Sequence, residues 1–411
     1  MLVYRYILTM FKTYIKRDIY IDKIRPFVDR DVIKVLIGQR RVGKSYLLFQ
    51  IIDEIKKISS GANIIYINKE FYEFDDIENY KDLLEYIKEK TLAGGKNYLF
   101  IDEIQEIEQF EKALRHLNAT GLFDIYCTGS NANLLSGELA TQLSGRFIEI
   151  PVYSLSYLEF LEFHKLENND DSLLKYIKYG GMPYLFNLKL EDEIIYDYLS
   201  NIYNTIVLKD VVARFALRNV NFLERLVEYL ADNVGSMVSA KKISDFLKSQ
   251  KTDISPNTIL NYLSYLCTSF FIYKVPRQDV AGKKIFEMNE KYYFEDLGLR
   301  HTITAYRQVD INKVLENLVH AHLQFLGYKI TVGQFDKKEI DFVAQKGKEK
   351  IYVQVAYLIE NDKVKEREFG NLLAVEDNYP KMVVSMDQFS EGEYKGIRHL
   401  YVRDFLSTVK F

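Results

Sequence analysis

Through the first 160 residues, short unbroken apolar runs alternate with longer stretches whose apolar positions recur every three or four residues. The runs Val32–Ile37, Ile64–Ile67, Tyr98–Ile101, Phe123–Cys127 and Phe147–Val152 read as five strands. Runs without polar alternation mark strands buried on both faces, as in a parallel sheet covered by helices. Between them, Lys44–Ile58 carries Leu47, Leu48, Ile51, Ile52 and Ile55 as a broad helical stripe, and Ser59-Ser60-Gly61 ends it. Asp75–Lys90 and Gln105–Leu117 read as further helices, and residues 14 to 30, with Ile15, Ile19, Ile24 and Phe27 at helical spacing, lead in. The pattern predicts an α/β domain over residues 1–160.

The periodicity then changes. Residues 161–220 read as a helical lid broken at Tyr179-Gly180-Gly181-Met182-Pro183, where Pro183 cannot continue a helix. Residues 221–300 give a helix at Asn221–Asn233 and a second at Lys241–Lys248, capped by Ser239, with Ile243, Phe246 and Leu247 inward. A third, Asn257–Thr268, keeps Ile259, Leu260, Leu263 and Leu266 inward and shows Asn257, Asn261, Ser264 and Tyr265 outward. A hairpin of Phe271–Val275 and Lys284–Phe286 about Gly282 follows. Helix, turn, helix and hairpin predict a winged helix whose last helix would read DNA. Residues 301–411 give a helix at Asn312–Leu326, then strands at Glu339–Val343 and Ile351–Tyr357.

Candidate chemistry begins after the first strand. Gly38-Gln39-Arg40-Arg41-Val42-Gly43-Lys44-Ser45 has the spacing of a phosphate-binding loop, between a strand and a helix as such a loop requires. Its backbone amides, through Tyr46, would point at phosphate oxygens from a helix N-terminus. Lys44 would reach the β- and γ-phosphates of ATP, and the Ser45 hydroxyl would ligate Mg²⁺. Strand three ends in Asp102-Glu103, where Asp102 would hold Mg²⁺ and Glu103 would deprotonate the attacking water. A plainer reading makes that pair a cap on the next helix. Strand four ends in Thr128-Gly129-Ser130-Asn131, which by itself is turn chemistry.

An extra strand in the chain between the loop strand and the acidic strand, with Glu103 beside Asp102, resembles the AAA-type branch of P-loop ATPases. The order of segments resembles a prokaryotic, STAND-like family of such ATPases more closely. It runs from residues 38–45 through Asp102-Glu103-Ile104-Gln105, Thr128–Asn131 and Leu143-Ser144-Gly145-Arg146 to Leu155–Phe160. The resemblance implies a polar residue that senses the γ-phosphate, a place that Ser130 and Asn131 match, with Ser130 assisting catalysis. It also implies that Arg146 serves as an arginine finger, on its own site or a neighbour's, against the plainer reading of a salt bridge at a strand start. Pro183 would lie near the bound base, in a Gly-Gly-x-Pro step that is otherwise a plain helix break.

The C-terminal pattern resembles the restriction-endonuclease-like, PD-(D/E)xK fold. Such nucleases use a helix Glu, a strand Asp and then Glu-or-Gln-x-Lys on the next strand to bind Mg²⁺ and activate water. Glu316, Asp341 and Gln354 match, but Ala356 stands where the lysine belongs. A degenerate nuclease-like domain used for binding is expected, with a metal-dependent DNA nuclease as one alternative.

Composition adds limits. The chain has 411 residues, 48% hydrophobic and 27% charged, with a net charge of −3, so no global field favours nucleic acid or membranes. Residues 238–284 are locally basic, with eight Lys or Arg against three Asp, a net +5. Lys241, Lys242, Lys248, Lys251, Arg277, Lys283 and Lys284 would meet DNA phosphates. The other expectation for that region is packing between domains, with a protein partner. No apolar run reaches the ~20 residues needed to span a bilayer. Met1–Met10 is apolar but short and lacks a small-residue cleavage site, so no signal peptide is expected; Met10 is a second candidate start. Two distant cysteines, Cys127 and Cys267, suit a reducing cytoplasm. The sequence thus predicts an Mg²⁺-dependent ATPase that couples nucleotide state to winged-helix and nuclease-like domains, as a homo-oligomer if Arg146 acts in trans. A nucleotide-gated switch with little turnover is the alternative.

Overall fold

Unbroken apolar strands favour parallel pairing, and the computed structural model bears this out. It describes residues 14–132, 145–280, 285–335, 338–388 and 392–411. Met10, Leu143, Ser144, Gly282, Lys283 and Lys284 lie outside the described residues. The chain divides into two compact units, Met1–Tyr153 with Thr268–Phe270, and Ser154–Cys267 with Phe271–Phe411.

In the first unit, β1 (Ile33–Ile37), β2 (Asn63–Asn68), β3 (Asn97–Asp102), β4 (Phe123–Gly129) and β5 (Phe147–Pro151) form one sheet in the order β2-β3-β4-β1-β5. Every pairing in it is parallel. In space it is β4 that stands between the loop strand β1 and the acidic strand β3. The registers Ile37↔Gly129 and Ile101↔Cys127 bring the C-terminal ends of these three strands side by side. Ligands in open α/β sheets bind outside such strand ends.

Helix α1 (Asp18–Ile24) is shorter than the lead-in suggested, and ends in the 3-10 turn Arg25–Phe27 at Pro26. Helix α2 (Lys44–Ile58) buries Leu47, Leu48, Ile51, Ile52 and Ile55, as its stripe predicted. The helical stretch expected from Asp75 begins only at Tyr80, as α3 (Tyr80–Lys90), because Asn79 and Asp82 form a capping box there. The helix expected over Gln105–Leu117 is broken into a 3-10 turn, Ile104–Glu106, and α4 (Phe110–Thr120). Glu103 and Gln109 take left-handed φ of 56° and 53°, which an α-helix cannot absorb.

The second unit opens with α5 (Tyr157–His164), α6 (Asp170–Tyr179), the 3-10 turn Pro183–Asn187, α7 (Asp192–Thr205) and a π-helical turn, Ile206–Ala213. Then come α8 (Val220–Asp232), α9 (Ala240–Ser249) and α10 (Pro256–Thr268), followed by strands β6 (Ile272–Asp279) and β7 (Ile285–Phe294). Helices α11 (Leu297–Thr304) and α12 (Ile311–Phe325) precede β8 (Lys329–Phe335), β9 (Lys338–Lys346) and β10 (Glu349–Ala356). Helix α13 (Asp362–Leu373), β11 (Lys381–Ser385), β12 (Glu393–Tyr394), β13 (Ile397–Tyr401) and α14 (Val402–Ser407) complete it.

Its sheet has eight strands in the order β12-β13-β11-β10-β9-β8-β6-β7. The hairpin strands are longer than expected, and β7 runs on to Phe294. Through β6, paired parallel to β8 from Arg277↔Val332 onward, the hairpin is continuous with the C-terminal strands. Two residues expected inward are half-exposed: Phe246 at 45%, leaning on the Tyr229 ring, and Leu260 at 50%. Ile340, Tyr352, Phe369, Leu372 and Val383 anchor the core between α13 and the sheet.

Candidate nucleotide site and a second carboxylate cluster

The loop between β1 and α2 is held from below and behind. Gly43 has φ +95°, a left-handed turn that glycine makes without strain, and the first turn of α2 has no side-chain cap on its amides. A Cβ on Gly38 would lie 2.1 Å from the Val152 carbonyl oxygen, so this glycine lets the loop pass the chain leaving β5. Arg17, unremarked in the sequence, is 3% exposed and donates to the carbonyls of Val42 and Tyr153, each at 3.0 Å. Its own N–H bonds Gln50 on α2. It thus clamps the loop from the opposite side.

The Lys44 ammonium donates to the carbonyls of Gly38 (3.0 Å) and Gln39 (2.9 Å) and lies 3.9 Å from Glu103 Oε1. Gln39 is fully buried, and neither its amide nitrogen nor its oxygen has a hydrogen-bond partner. Arg40 is buried and pairs with Glu70 at 3.1 Å, Arg41 is exposed, Val42 is fully buried, and Tyr46 is 42% exposed.

Asp102 and Glu103 face different partners. Asp102 accepts from the hydroxyls of Ser45, Thr128 and Tyr66 and from the Asn68 amide. Burial, and then the neighbouring Glu103 charge, push its carboxyl up to about 6. Glu103 accepts from the Ser130 hydroxyl at 3.1 Å and from the Gln105 amide. Burial works to raise the Glu103 carboxyl. The Lys44 and Arg40 charges outweigh it and, with those two hydrogen bonds, hold the carboxyl below its ordinary value. Glu103 therefore stays an anion. Its left-handed backbone costs roughly 1–3 kcal/mol and is pinned by its N–H bonding Thr128 Oγ1 at 2.9 Å.

These groups fit Mg²⁺ and a nucleotide triphosphate. Ser45 and Asp102 already touch as a hard oxygen pair, Gln39 leaves buried polar capacity in the loop, and the uncapped amides of α2 suit phosphate oxygens. The capping alternative for Asp102-Glu103 fails, since neither carboxylate caps a helix: Glu103 precedes the 3-10 turn without a side-chain cap bond.

Arg146 is exposed and lies elsewhere in the unit. Its carbonyl accepts from the N–H of Ile33, and β5 pairs with β1 from Ile33↔Phe147 to Ile37↔Pro151. Arg146 thus flanks the start of β1, while the loop follows its end, about 16 Å along the strand at ~3.3 Å per residue. No salt bridge forms at Arg146 among the described residues.

Pro183 lies in the second unit and opens the 3-10 turn Pro183–Asn187. The glycines before it have packing reasons. A Cβ on Gly180 would strike the Asp296 carboxylate at 2.3 Å, and one on Gly181 the Leu155 carbonyl at 2.4 Å. Asp296 accepts from the Gly181 N–H at 2.7 Å.

The second unit brings Glu316, Asp341 and Gln354 together, with three groups the sequence did not single out. Lys291, from β7, puts its ammonium 2.6 Å from Glu316 Oε1, 2.8 Å from Glu339 Oε1 and 3.4 Å from Asp341 Oδ1. Gln354 donates to Glu368 at 3.1 Å and accepts from the Asp341 N–H at 3.3 Å. Ala356 is buried at 7% exposure and brings no charge. Alternation along β9 would have flagged Glu339 as sharing the Asp341 face. Nothing in sequence points to Lys291, which lies 50 residues from Asp341.

Comparison with known proteins follows the same division. Residues 30–161 match the family model described as AAA domain, and residues 170–310 match a domain of unknown function (DUF8612). An uncharacterized protein of Haemophilus influenzae is 39% identical over 97% of this chain and 100% of its own length. An uncharacterized protein of Methanocaldococcus jannaschii is 32% identical over 87% of this chain and 84% of its own. Among solved structures, a Walker-type ATPase of Pyrococcus abyssi aligns with 69% of this chain and 93% of its own, at 16% identity and a TM-score of 0.47. The chain belongs to one family with the Haemophilus and Methanocaldococcus proteins, and its residues 30–161 form an AAA-type P-loop ATPase domain.

Proposed function

We propose that the protein hydrolyses ATP with Mg²⁺ and uses the nucleotide state to move or gate its C-terminal elements. The observation that carries this reading is the placing of Glu103. It is an anion, aimed by Ser130 and Gln105 and within 3.9 Å of the Lys44 ammonium, beside an Asp102 that touches Ser45. Lys44 and the α2 amides would bind the phosphates of the substrate. Ser45 and Asp102 would hold Mg²⁺, which supplies charge neutralisation on the phosphate oxygens. Glu103 would orient and deprotonate water. Ser130 acts here through Glu103.

Arg146 completes the site from a neighbouring copy. At the opposite end of β1 from its own loop it is out of reach in cis, which supports an oligomer with the finger in trans.

One observation favours slow turnover. Lys44 bonds its own loop carbonyls and pairs with Glu103, contacts that bound phosphates would have to replace. A nucleotide-gated switch is therefore the second reading. Steady-state phosphate release by wild type and Glu103→Gln separates the two: equal, slow release from both would remove the ATPase reading.

The proposed outputs are a winged helix and a nuclease-like fold. Helix α9 and the turn after it present Lys241, Lys242, Lys248 and Lys251 to solvent, and α10 presents Asn257, Asn261 and Ser264. That surface suits DNA phosphates with base edges beyond them. ATP turnover stimulated by duplex DNA would support it; indifference to DNA and RNA would leave a protein partner. The cytoplasm is the proposed compartment, supported by two unpaired cysteines. No described helix is long and apolar enough to cross a membrane.

A further inference from the structure

The nuclease-like fold implies a divalent ion among Glu316, Asp341 and Gln354, and the residues present do not fit one. The place such an ion would need is held by Lys291, whose ammonium lies between three carboxylates at 2.6, 2.8 and 3.4 Å. A divalent metal would need those same oxygens at ~2.0–2.6 Å, and cannot share them with an ammonium at this range. Lys291 is 3% exposed, so the ammonium is enclosed among these carboxylates. Other lone pairs and donors of the cluster are committed as well. Tyr293 donates to Glu316 Oε1, the Val355 N–H donates to Asp341 Oδ2 at 2.9 Å, and Gln354 is spent on Glu368 and the Asp341 backbone.

From this geometry we infer that Lys291 is the resident cation of the cluster, tying strand β7 to α12 and β9 as an ion-pair clasp and closing the site to divalent metal. Lys291 is not a relocated water-activating lysine. Such a lysine would need a metal beside it, and here it stands in the metal's place. Phosphodiester cleavage at this site is thereby excluded. The inference is independent of ATP binding and turnover at the P-loop.

The test is Mn²⁺ binding to the nucleotide-free full chain, followed by the paramagnetic signal of free Mn²⁺. Wild type and Asp341→Asn should bind the same number of ions, because any ion at the P-loop is common to both. Lys291→Met should melt roughly 5–10 °C lower in chelator and gain one Mn²⁺ equivalent, which Asp341→Asn removes again. If Lys291→Met does not fold, the wild-type pair decides alone. A Mn²⁺ ion bound by wild type and lost in Asp341→Asn would overturn the inference. So would plasmid cleavage with Mg²⁺ or Mn²⁺ that is abolished by either Lys291→Met or Asp341→Asn.

Discussion

Removing the Ser130 hydroxyl distinguishes two roles for the end of β4. The resemblance implies a group that assists at the γ-phosphate; the geometry makes Ser130 a donor to Glu103, at 3.1 Å. Ser130→Ala deletes one of two donors on the same carboxylate oxygen and leaves Gln105 in place. A hydrogen bond to a charged group contributes about 1.5–3 kcal/mol. With one donor remaining, the lower part of that range applies. About 1.5 kcal/mol lost from the alignment of the base corresponds to roughly a tenfold fall in kcat. Nothing in that loss weakens phosphate binding by Lys44 or the α2 amides, so ATP affinity should be unchanged. Phosphate release at saturating ATP, with fluorescent-nucleotide titration in parallel, measures both quantities. A tenfold weaker affinity with unchanged kcat would refute the positioning role and return Ser130 to direct phosphate contact.

Other substitutions read other parts of the account. Gly38→Ala forces its Cβ against the Val152 carbonyl, 2.1 Å away; overpacking of ~1–3 kcal/mol should lower the melting temperature by roughly 5 °C and weaken ATP binding. An unchanged melting curve would mean that the loop and the chain after β5 yield freely. Arg146→Ala should cut turnover more than tenfold, and mixing it with Glu103→Gln subunits should restore part of the rate, because each supplies what the other lacks. Failure of every mixing ratio to recover activity would count against action in trans. Burial pushes His320 down to about 3, and His301 and His322 down to about 4, from 6.5. The unfolded chain therefore binds more protons as pH falls, so stability present above pH 6.5 is lost between 6.5 and about 4. The slope is about 1.4 kcal/mol per pH unit for each histidine. Urea midpoints from pH 7 to 5 should decline less steeply for His320→Gln; identical slopes would refute the assignment.

What could be read from sequence was what lies close together in it. The phosphate loop, its strand and its helix occupy one continuous stretch, and Asp102 and Glu103 are neighbours at a strand end. Local chemistry dictates both. The partners that aim them are remote. Ser130 is 27 residues from Glu103, and Arg17 is 25 from Val42. No periodicity encodes such pairs. Left-handed Glu103 and Gln109 broke a helix that apolar spacing alone supports, and at Glu103 a tertiary hydrogen bond to Thr128 overrode local preference. The hairpin's strands were visible, but not their extension of the C-terminal sheet, which depends on β6 meeting β8 across 55 residues at Arg277↔Val332. Lys291 was hidden for the same reason. Ala356 brings no charge to β10, and the charge that does occupy the cluster arrives from another strand.

The role proposed for Glu103 is chemistry on a nucleotide bound by residues 38–46. Its most direct test is steady-state phosphate release by wild type and Glu103→Gln, with ATP binding measured on both. Equal ATP affinity and a fall in kcat of about 10²–10⁴-fold, the range for loss of a positioned base, are the expected results. Equal turnover by the two proteins would contradict that role.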